Sequence, residues 1–172
     1  MRSVQVAALL LLSAPLILAQ GQSQNTAAFR ASVIAFQSNS VQWQNDLARI
    51  KVEELSISYA EGHVIEQDKE VAIQNLDLMS KLTARVLKTG RLSDEINLLE
   101  TSHEMSSQMQ EIVHVLLDAN VKDDAAAKKI MDWSTPLSDL ANGAVNTFYL
   151  NTFKYVTAHA DQIESQHCAH AK

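Results

Sequence analysis

The apolar residues of this chain recur at alternating steps of four and three, and this spacing constrains the fold more than any other feature. The first row runs from Phe29 to Ile57, with Glu54 as its one charged interruption. Such spacing places side chains along one face of an α-helix, as in a coiled coil. It therefore predicts one long helix from about Asn25 to near Gly62. The row consists of Phe29, Val33, Phe36, Ser40, Trp43, Leu47, Ile50 and Ile57.

Two further helices are predicted on either side of Gly90. Apolar rows extend from about His63 to Lys88 and from Ser93 to about Asn120. Gly90 is the expected left-handed cap of the earlier helix, because glycine adopts positive φ without strain. Ser93 is the expected N-cap of the later one, with Asp94 and Glu95 in its first turn. So short a connection favours antiparallel neighbours. Gly62 is predicted either to cap the preceding helix or to lie in a kinked continuation.

The segment after Asn120 is predicted to hold a short helix and then the last long one. Asp123 or Asp124 is the expected cap of the short helix, which covers residues 125–133. Ser134 or Thr135 is the expected N-cap of the long helix, with Pro136 at its first position, where proline is well tolerated. A bend at Asn142-Gly143 is an alternative, but one continuous helix is favoured there.

The chain has too few turn-forming residues for the many tight turns of a β-sandwich or barrel. It holds four Gly and two Pro in 172 residues, and 47% of its residues are hydrophobic. With one Cys, no internal disulfide can form. Together with the apolar rows, this composition predicts an all-α fold. The expected architecture is an antiparallel four-helix-bundle-like domain with one short linking helix.

The first nineteen residues have the pattern of a secretory signal peptide. Arg2 is followed by an apolar run, a break at Pro15, a second apolar run and then small residues. Cleavage is expected after Ala19 or Gly21, which leaves residues 22–172 as one helical domain with a polar, frayed C-terminal tail. No later segment has a comparable apolar run, so we expect no stable transmembrane anchor after cleavage. The expected location is secreted or periplasmic.

The charge balance narrows the classes of partner. The chain has 14 basic and 20 acidic residues, a formal net charge of −6. Nucleic acids and anionic lipid surfaces attract cations, so both are disfavoured as partners. A protein partner or a second copy of the chain is expected instead.

A metal site is the alternative that the histidines suggest. Glu-x-x-His occurs three times, and this spacing places a carboxylate and an imidazole on one helix face. Two of the pairs lie on one predicted helix, too far apart along its axis to share a site. We expect that the protein has no cofactor. A bound Fe, Zn or Cu ion is the alternative. Cys168 is also a candidate for an intermolecular disulfide. The candidate ligands are Glu100, His103, Glu164, His167, Cys168 and His170.

Two hypotheses concern side chains on the apolar rows. His103 and His159 are predicted to be buried or half-buried, each with a hydrogen-bond partner, and they approach each other if their helices are neighbours. An apolar small-ligand carrier is a further alternative, which requires a cavity inside the bundle. Its expected wall residues are Phe36, Trp43, Met79, Met105 and Phe148.

No sequence motif indicates catalysis. The chain lacks Gly-x-Ser-x-Gly, His-Glu-x-x-His, paired cysteines and a glycine-rich phosphate loop. The sequence therefore favours an exported, non-catalytic bundle that acts through its surface, as a homo-oligomer or by binding a protein partner or an apolar surface. Val52, Leu55 and Tyr59 form an additional apolar row beside the first one, and are the candidate interaction residues. The alternatives are a metal-binding bundle, with either a ferritin-like site or a site in the C-terminal His/Cys tail, and an apolar small-ligand carrier.

Overall fold

A computed structural model describes the backbone of residues 3–170 apart from residues 56, 120 and 122, and the side chains of residues 23–166 with the same exceptions. The described elements are helical, which confirms the all-α fold. They are α1 (Ser3–Ala48), a 3₁₀ turn (Val52–Glu54), α2 (Tyr59–Thr89), α3 (Leu92–Asp118), α4 (Asp124–Leu140), a π-helical turn (Ala141–Val145) and α5 (Asn146–His170). The side chains of the predicted signal peptide, residues 1–19, lie outside the described ones, and its cleavage stays a prediction.

The first predicted helix is too long, because α1 ends at Ala48. Ile50 and Leu55 are still buried, but from a connection that contains only a 3₁₀ turn. A new helix begins at Tyr59 because Ser58 and Glu61 form a capping box. The Ser58 backbone N–H donates to Glu61 Oε2 at 2.8 Å, and the Glu61 N–H donates to Ser58 Oγ at 3.2 Å. The apolar row from Phe29 to Ile57 therefore does not form a single helix, and local capping starts a new helix at Tyr59.

Gly62 neither caps a helix nor kinks one. It lies in the first turn of α2, directly beneath Val52 of the 3₁₀ turn. A Cβ at this position would lie 2.7 Å from Val52 Cγ1, far inside contact distance. The glycine is thus required by the close approach of the connection to the helix, a feature that no local pattern indicates.

The turn between α2 and α3 confirms one predicted cap and corrects the other. Gly90 is the left-handed C-cap, with φ 57°. Ser93 is not the N-cap of α3, because the helix begins one residue before it and Arg91 occupies the cap position. The Arg91 carbonyl accepts from the N–H groups of both Asp94 and Glu95. Those two residues are in the first turn, as predicted.

The predicted short linking helix is wrong. Asp123 does cap α4, accepting from the Ala125 N–H at 3.1 Å, but the helix then continues through Pro136 to Leu140. Ser134 and Thr135 consequently lie within α4 and cap nothing. Proline removes one backbone hydrogen bond; burial of Ile130, Ser134 and Leu137 keeps the helix intact across it.

The predicted continuity across Asn142-Gly143 is confirmed in a modified form. Ala141–Val145 adopts a π-helical turn that joins α4 directly to α5. One extra residue is thereby accommodated, and Ala141 and Val145 remain buried on the same side. The described part of the chain therefore holds four helical rods, the last being α4 and α5 joined by this turn.

The rods share one apolar core. α2 packs most extensively against α3, and α5 packs against both α1 and α3. Side-chain bonds from Asn75 to Gln108 and from Arg85 to Asp94 show that α2 and α3 run in opposite directions. Within the described residues, no helix is long and apolar enough to cross a membrane. The largest fully buried side chains are Phe29, Phe36, Phe148, Leu47, Ile50, Ile65, Leu76, Met79, Leu98, Met105, Met109 and Ile112.

Candidate functional site

The three predicted interaction residues come together, but not as a row on α1. Val52 belongs to the 3₁₀ turn, Leu55 follows it, and Tyr59 begins α2. The predicted helical row is therefore wrong, because the backbone leaves the helix before reaching them. Leu55 is buried, Val52 is half-buried, and Tyr59 is 88% exposed. All three line one concave surface.

We call this surface the linker groove. It encloses about 450 Å³ between the α1–α2 connection and the first two turns of α2. Val52, Leu55 and Ile57 supply apolar walls, and the absence of a side chain at Gly62 lets the connection lie close to the helix. The lining residues are Val52, Glu53, Leu55, Ile57, Ser58, Tyr59, Gly62, His63 and Glu66.

Tyr59 is the most exposed large apolar side chain described. Its ring is nearly parallel to that of His63, one helical turn later, with centroids 6.1 Å apart and planes at 3°. Neighbouring rings four residues apart restrict each other on a helix surface. The structure therefore holds an aromatic ring at the mouth of the groove without burying it.

A second concave surface extends the linker groove along α2. It encloses about 490 Å³, reaches Ile73, and shares His63 and Glu66 with the first. The one lysine of this surface, Lys69, donates to Glu66 at 2.6 Å and to the Ile50 carbonyl at 3.0 Å. Its charge is thus compensated internally, and Glu53 and Glu70 leave the combined surface acidic.

An ion pair attaches the connection to α4. Lys129 Nζ donates to Glu54 Oε2 at 2.7 Å, across a sequence separation of 75 residues. This bond, followed by the charges of Lys129 and Lys51, lowers the pKa of Glu54 despite partial desolvation. The connection is therefore bonded to a second helix at a residue between Glu53 and Leu55, both of which line the linker groove.

The predicted metal ligands do not converge in the described part of the chain. Glu100 and His103 are exposed on α3, and the His103 ring packs on Tyr149 with centroids 5.2 Å apart. Glu164 is exposed on α5. Among the described residues, no three His, Cys, Asp or Glu side chains are grouped to hold an ion. The side chains of His167, Cys168 and His170 lie outside the described set, and both metal binding and a Cys168 disulfide stay predictions.

His103 and His159 contact different partners. His159 Nδ1 lies 2.7 Å from Glu95 Oε2, whereas His103 packs on Tyr149 about two turns further along the α3–α5 contact. His159 is 28% exposed, in line with a half-buried histidine, but His103 is exposed. The predicted buried or half-buried position of His103 is therefore wrong, because its ring packs on Tyr149 and stays exposed there.

The burial of two carboxylates at the start of α3 was not predicted from the sequence. Glu95 is fully buried and accepts from the Tyr155 hydroxyl at 3.3 Å as well as pairing with His159. Asp94, 2% exposed, accepts from Arg85 and from Thr89 Oγ1. First-turn acids are normally exposed, and the sequence alone indicates only their helix-capping role. The spacing of Tyr155 and His159, one turn apart on an apolar row, was the available signal.

Two clefts lie on either side of Tyr155. One encloses about 230 Å³ and is lined by Asn25, Thr26, Tyr155, Ala158, His159 and Gln162. The other encloses about 150 Å³ and is lined by Thr26, Phe29, Arg30, Val86, Leu87, Gly90 and Tyr155. Burial, followed by the charge of Glu95 and its hydrogen bond, raises the pKa of Tyr155, and Arg30 opposes this shift.

The residues proposed as walls of an internal ligand cavity pack in the core instead. Phe36 contacts the rings of both Trp43 and Phe148, at centroid distances of 5.7 and 5.3 Å. Met79 and Met105 are fully buried. None of the five lines the concave surfaces described above.

Comparisons with protein families, with curated proteins and with solved structures found no match.

Proposed function

We propose that this chain is an exported, non-catalytic helical-bundle protein that binds an apolar, basic segment of a partner protein in the linker groove. The signal-peptide pattern of residues 1–19 supports export, and cleavage after Ala19 or Gly21 belongs to the proposal. An antiparallel four-helix arrangement of the mature chain also belongs to it, supported by the opposed directions of α2 and α3.

The observation that carries the proposal is the position of Tyr59. A tyrosine that is 88% exposed gains nothing from the core, yet it stands at the mouth of a preformed concave surface with apolar walls. Tyrosine is enriched at binding surfaces, because it buries a large area on contact at low entropic cost. The ring is therefore available to a partner.

The charge of the surface indicates the chemistry of the partner. Glu53 and Glu70 lie along it, and its lysine is already paired with Glu66. An acidic rim around apolar walls complements a segment that combines apolar and basic side chains. From Tyr59 to Ile73 the surface follows about 21 Å of helix, long enough for a short peptide segment.

A labelled peptide of alternating leucine and lysine is a suitable probe. We expect saturable binding by fluorescence anisotropy, weakened by added salt because the rim charges are screened. Tyr59→Ala should weaken binding about tenfold or more, as for an interface anchor, and Glu53→Lys should weaken it several-fold. A peptide with glutamate in place of lysine should not bind.

Matched variants elsewhere separate groove binding from attraction to an acidic protein. Phe153→Ala removes another exposed aromatic ring on α5, and Glu100→Lys reverses an exposed charge on α3; both should bind the peptide normally. Equal loss in these controls would overturn the proposal. A concentration-dependent dimer in light scattering that Tyr59→Ala abolishes would instead make a second copy of the chain the occupant.

A further inference from the structure

The outer face of α1 carries a second row of side chains with alternating steps of four and three. The row that faces the core includes Phe29, Phe36 and Leu47, all of them buried. The second row lies on the opposite face of the helix, and every residue in it is exposed. Such spacing over three heptads is typical of a surface along which two helices pack. The row, which we call the outer seam, consists of Ala27, Ala31, Ile34, Ser38, Val41, Asn45 and Ala48.

The outer seam differs from ordinary exposed helix surface in its lack of charge. Residues 31–45 contain no Asp, Glu, Lys or Arg, whereas 20% of the residues of the chain are charged. Ile34 and Val41 are 64% and 67% exposed, values that only Tyr59 exceeds among the large apolar side chains described. The Ser38 hydroxyl between them donates to the Ile34 carbonyl at 2.9 Å, so this hydroxyl keeps a partner when it is buried. The seam can therefore be covered without desolvating a charge.

A second copy of the chain provides a partner for the one amide of the seam. When two α1 helices lie side by side in the same direction, each seam residue faces its own equivalent. Asn45 then faces Asn45 of the other copy, and the two amides donate to and accept from each other. In the opposite direction Asn45 would face an apolar residue of the seam, such as Ile34. The asparagine therefore favours the parallel direction, as a single polar residue does in coiled coils.

The residues beside the outer seam create no repulsion between two parallel copies. Gln37 on one flank faces Gln42 on the other flank of the second copy, which gives a further pair of amides. Arg30 and Arg49 lie beside opposite ends of the seam, about 28 Å apart along the helix direction. Because each copy carries a net charge of −6, two copies repel each other least where they meet through an uncharged surface.

We infer that the outer seam is a dimerisation surface, along which two copies of the chain pack with their α1 helices parallel. A helix about 32 Å long, covered over about a third of its circumference, buries on the order of 400 Å² per copy, half of the roughly 800 Å² of a standard stable interface. The dimer is therefore weak and reversible, with a dissociation constant on the order of 100 μM. No residue of the outer seam lines the linker groove, so the dimer does not depend on that groove.

A charge introduced on the outer seam tests both the dimer and its direction. Ile34→Lys and Ile34→Glu should each weaken self-association at least tenfold, because the parallel dimer places two like charges face to face. An equimolar mixture of the two variants should associate again, because the introduced charges are then opposite. Sedimentation equilibrium, with protein concentrations on either side of about 100 μM, measures each dissociation constant.

Matched variants separate the outer seam from other exposed apolar surface. Leu78→Lys makes the same change at an exposed leucine of α2 and should leave self-association unchanged. Tyr59→Ala should also leave it unchanged, because Tyr59 lies outside the seam. Ile34 is 64% exposed, so its variants should retain the helical circular dichroism of the parent protein.

Three results would overturn the inference. The first is a parent protein that remains monomeric at about 1 mM, well above the expected dissociation constant. The second is a dimer that Tyr59→Ala abolishes and Ile34→Lys does not, which would place the second copy in the linker groove. The third is a mixture of Ile34→Lys and Ile34→Glu that associates no better than either variant alone, which would exclude parallel pairing at Ile34.

Discussion

Near Gly90 two carboxylates are buried and paired, whereas at the connection between α1 and α2 an aromatic ring is left exposed. At the Gly90 end, Glu95 and Asp94 lie beneath the helix surface with His159 and Arg85 as partners. At the linker end, the charges of Glu54 and Lys129 stay near the surface, and Tyr59 has no core contact to compensate for its exposure.

The two ends of the molecule contribute to different properties. Buried charge pairs specify one arrangement of helices, because any other arrangement leaves a charge without a partner. Exposed apolar surface contributes nothing to the isolated fold and acquires value on binding. We therefore expect substitutions at the Gly90 end to change stability, and substitutions of exposed side chains at the linker end to change binding.

The largest expected effect follows removal of the partner of Glu95. His159→Ala leaves a buried carboxylate with only the Tyr155 hydroxyl, and should lower the free energy of unfolding by about 3 kcal/mol. Tyr59→Ala, the matched change at the linker end, should alter it by less than about 0.5 kcal/mol. Urea denaturation measures both.

A double variant tests whether the His159 effect arises from the charge. Glu95→Gln removes the charge but keeps the shape, so His159→Ala should cost much less in the Glu95→Gln background. Equal costs in both backgrounds would show that packing, rather than charge compensation, makes the Gly90 end sensitive.

Gly62 is the exception at the linker end, because its backbone lies close to the Val52 side chain. Gly62→Ala forces Val52 to move and should destabilise the protein by about 2 kcal/mol. The pair Gly62→Ala with Val52→Ala should recover most of that loss. Gly143→Ala is the control, since a Cβ there meets no atom within 4 Å, and it should not destabilise. Thermal unfolding that ranks the two glycines alike would contradict the close approach.

Much of the fold is predictable because helices are encoded locally. The apolar rows, the Gly90 cap, the Asp123 cap and the first-turn acids of α3 each depend on residues within one or two turns. The end of α1 and the passage of α4 through Pro136 are not. Both depend on which side chains are buried by distant elements, and in such cases tertiary packing outweighs local signals.

The sites are less predictable for the same reason. Val52, Leu55 and Tyr59 were identified as apolar and close in sequence, but their concave arrangement includes the close approach of Val52 to Gly62 and lies beside the Glu54–Lys129 pair, which spans 75 residues. The pairing of Glu95 with His159 spans 64 residues. The spacing of Tyr155 and His159 indicates that they share one helix face, but it does not indicate which carboxylate that face meets.

Thr83 departs from the pairing of buried polar groups near Gly90. It is fully buried. Among the buried side-chain nitrogen and oxygen atoms of the described residues, its Oγ1 is the one that lacks a hydrogen-bond partner. Thr83→Val keeps the shape and removes the unsatisfied hydroxyl, so it should raise the free energy of unfolding by about 1 kcal/mol. Thr152→Val is the matched control. The buried Thr152 hydroxyl donates to the Phe148 carbonyl at 2.8 Å, so removing it should not raise the free energy of unfolding. A stabilisation of equal size in both variants would show that hydroxyl burial itself, rather than the missing partner, is unfavourable.

The smallest expected effect concerns the ionisation of Tyr155, which reports on the burial of Glu95 without changing the fold. Burial and the Glu95 carboxylate raise the pKa of Tyr155 above its usual value near 10. The unfolded chain therefore loses this proton first as the pH rises. The stability that Tyr155 contributes is complete below the usual value and is lost as the pH rises through the higher pKa of the folded state.

An ultraviolet titration, with Tyr155→Phe subtracted to remove the other two tyrosines, follows the group directly. Glu95→Gln should lower the pKa of Tyr155, because it removes the negative charge that opposes ionisation. If Glu95→Gln leaves that titration unchanged, the carboxylate is not charged against the phenol, and the contrast between a charged, buried end and an exposed, apolar end no longer holds.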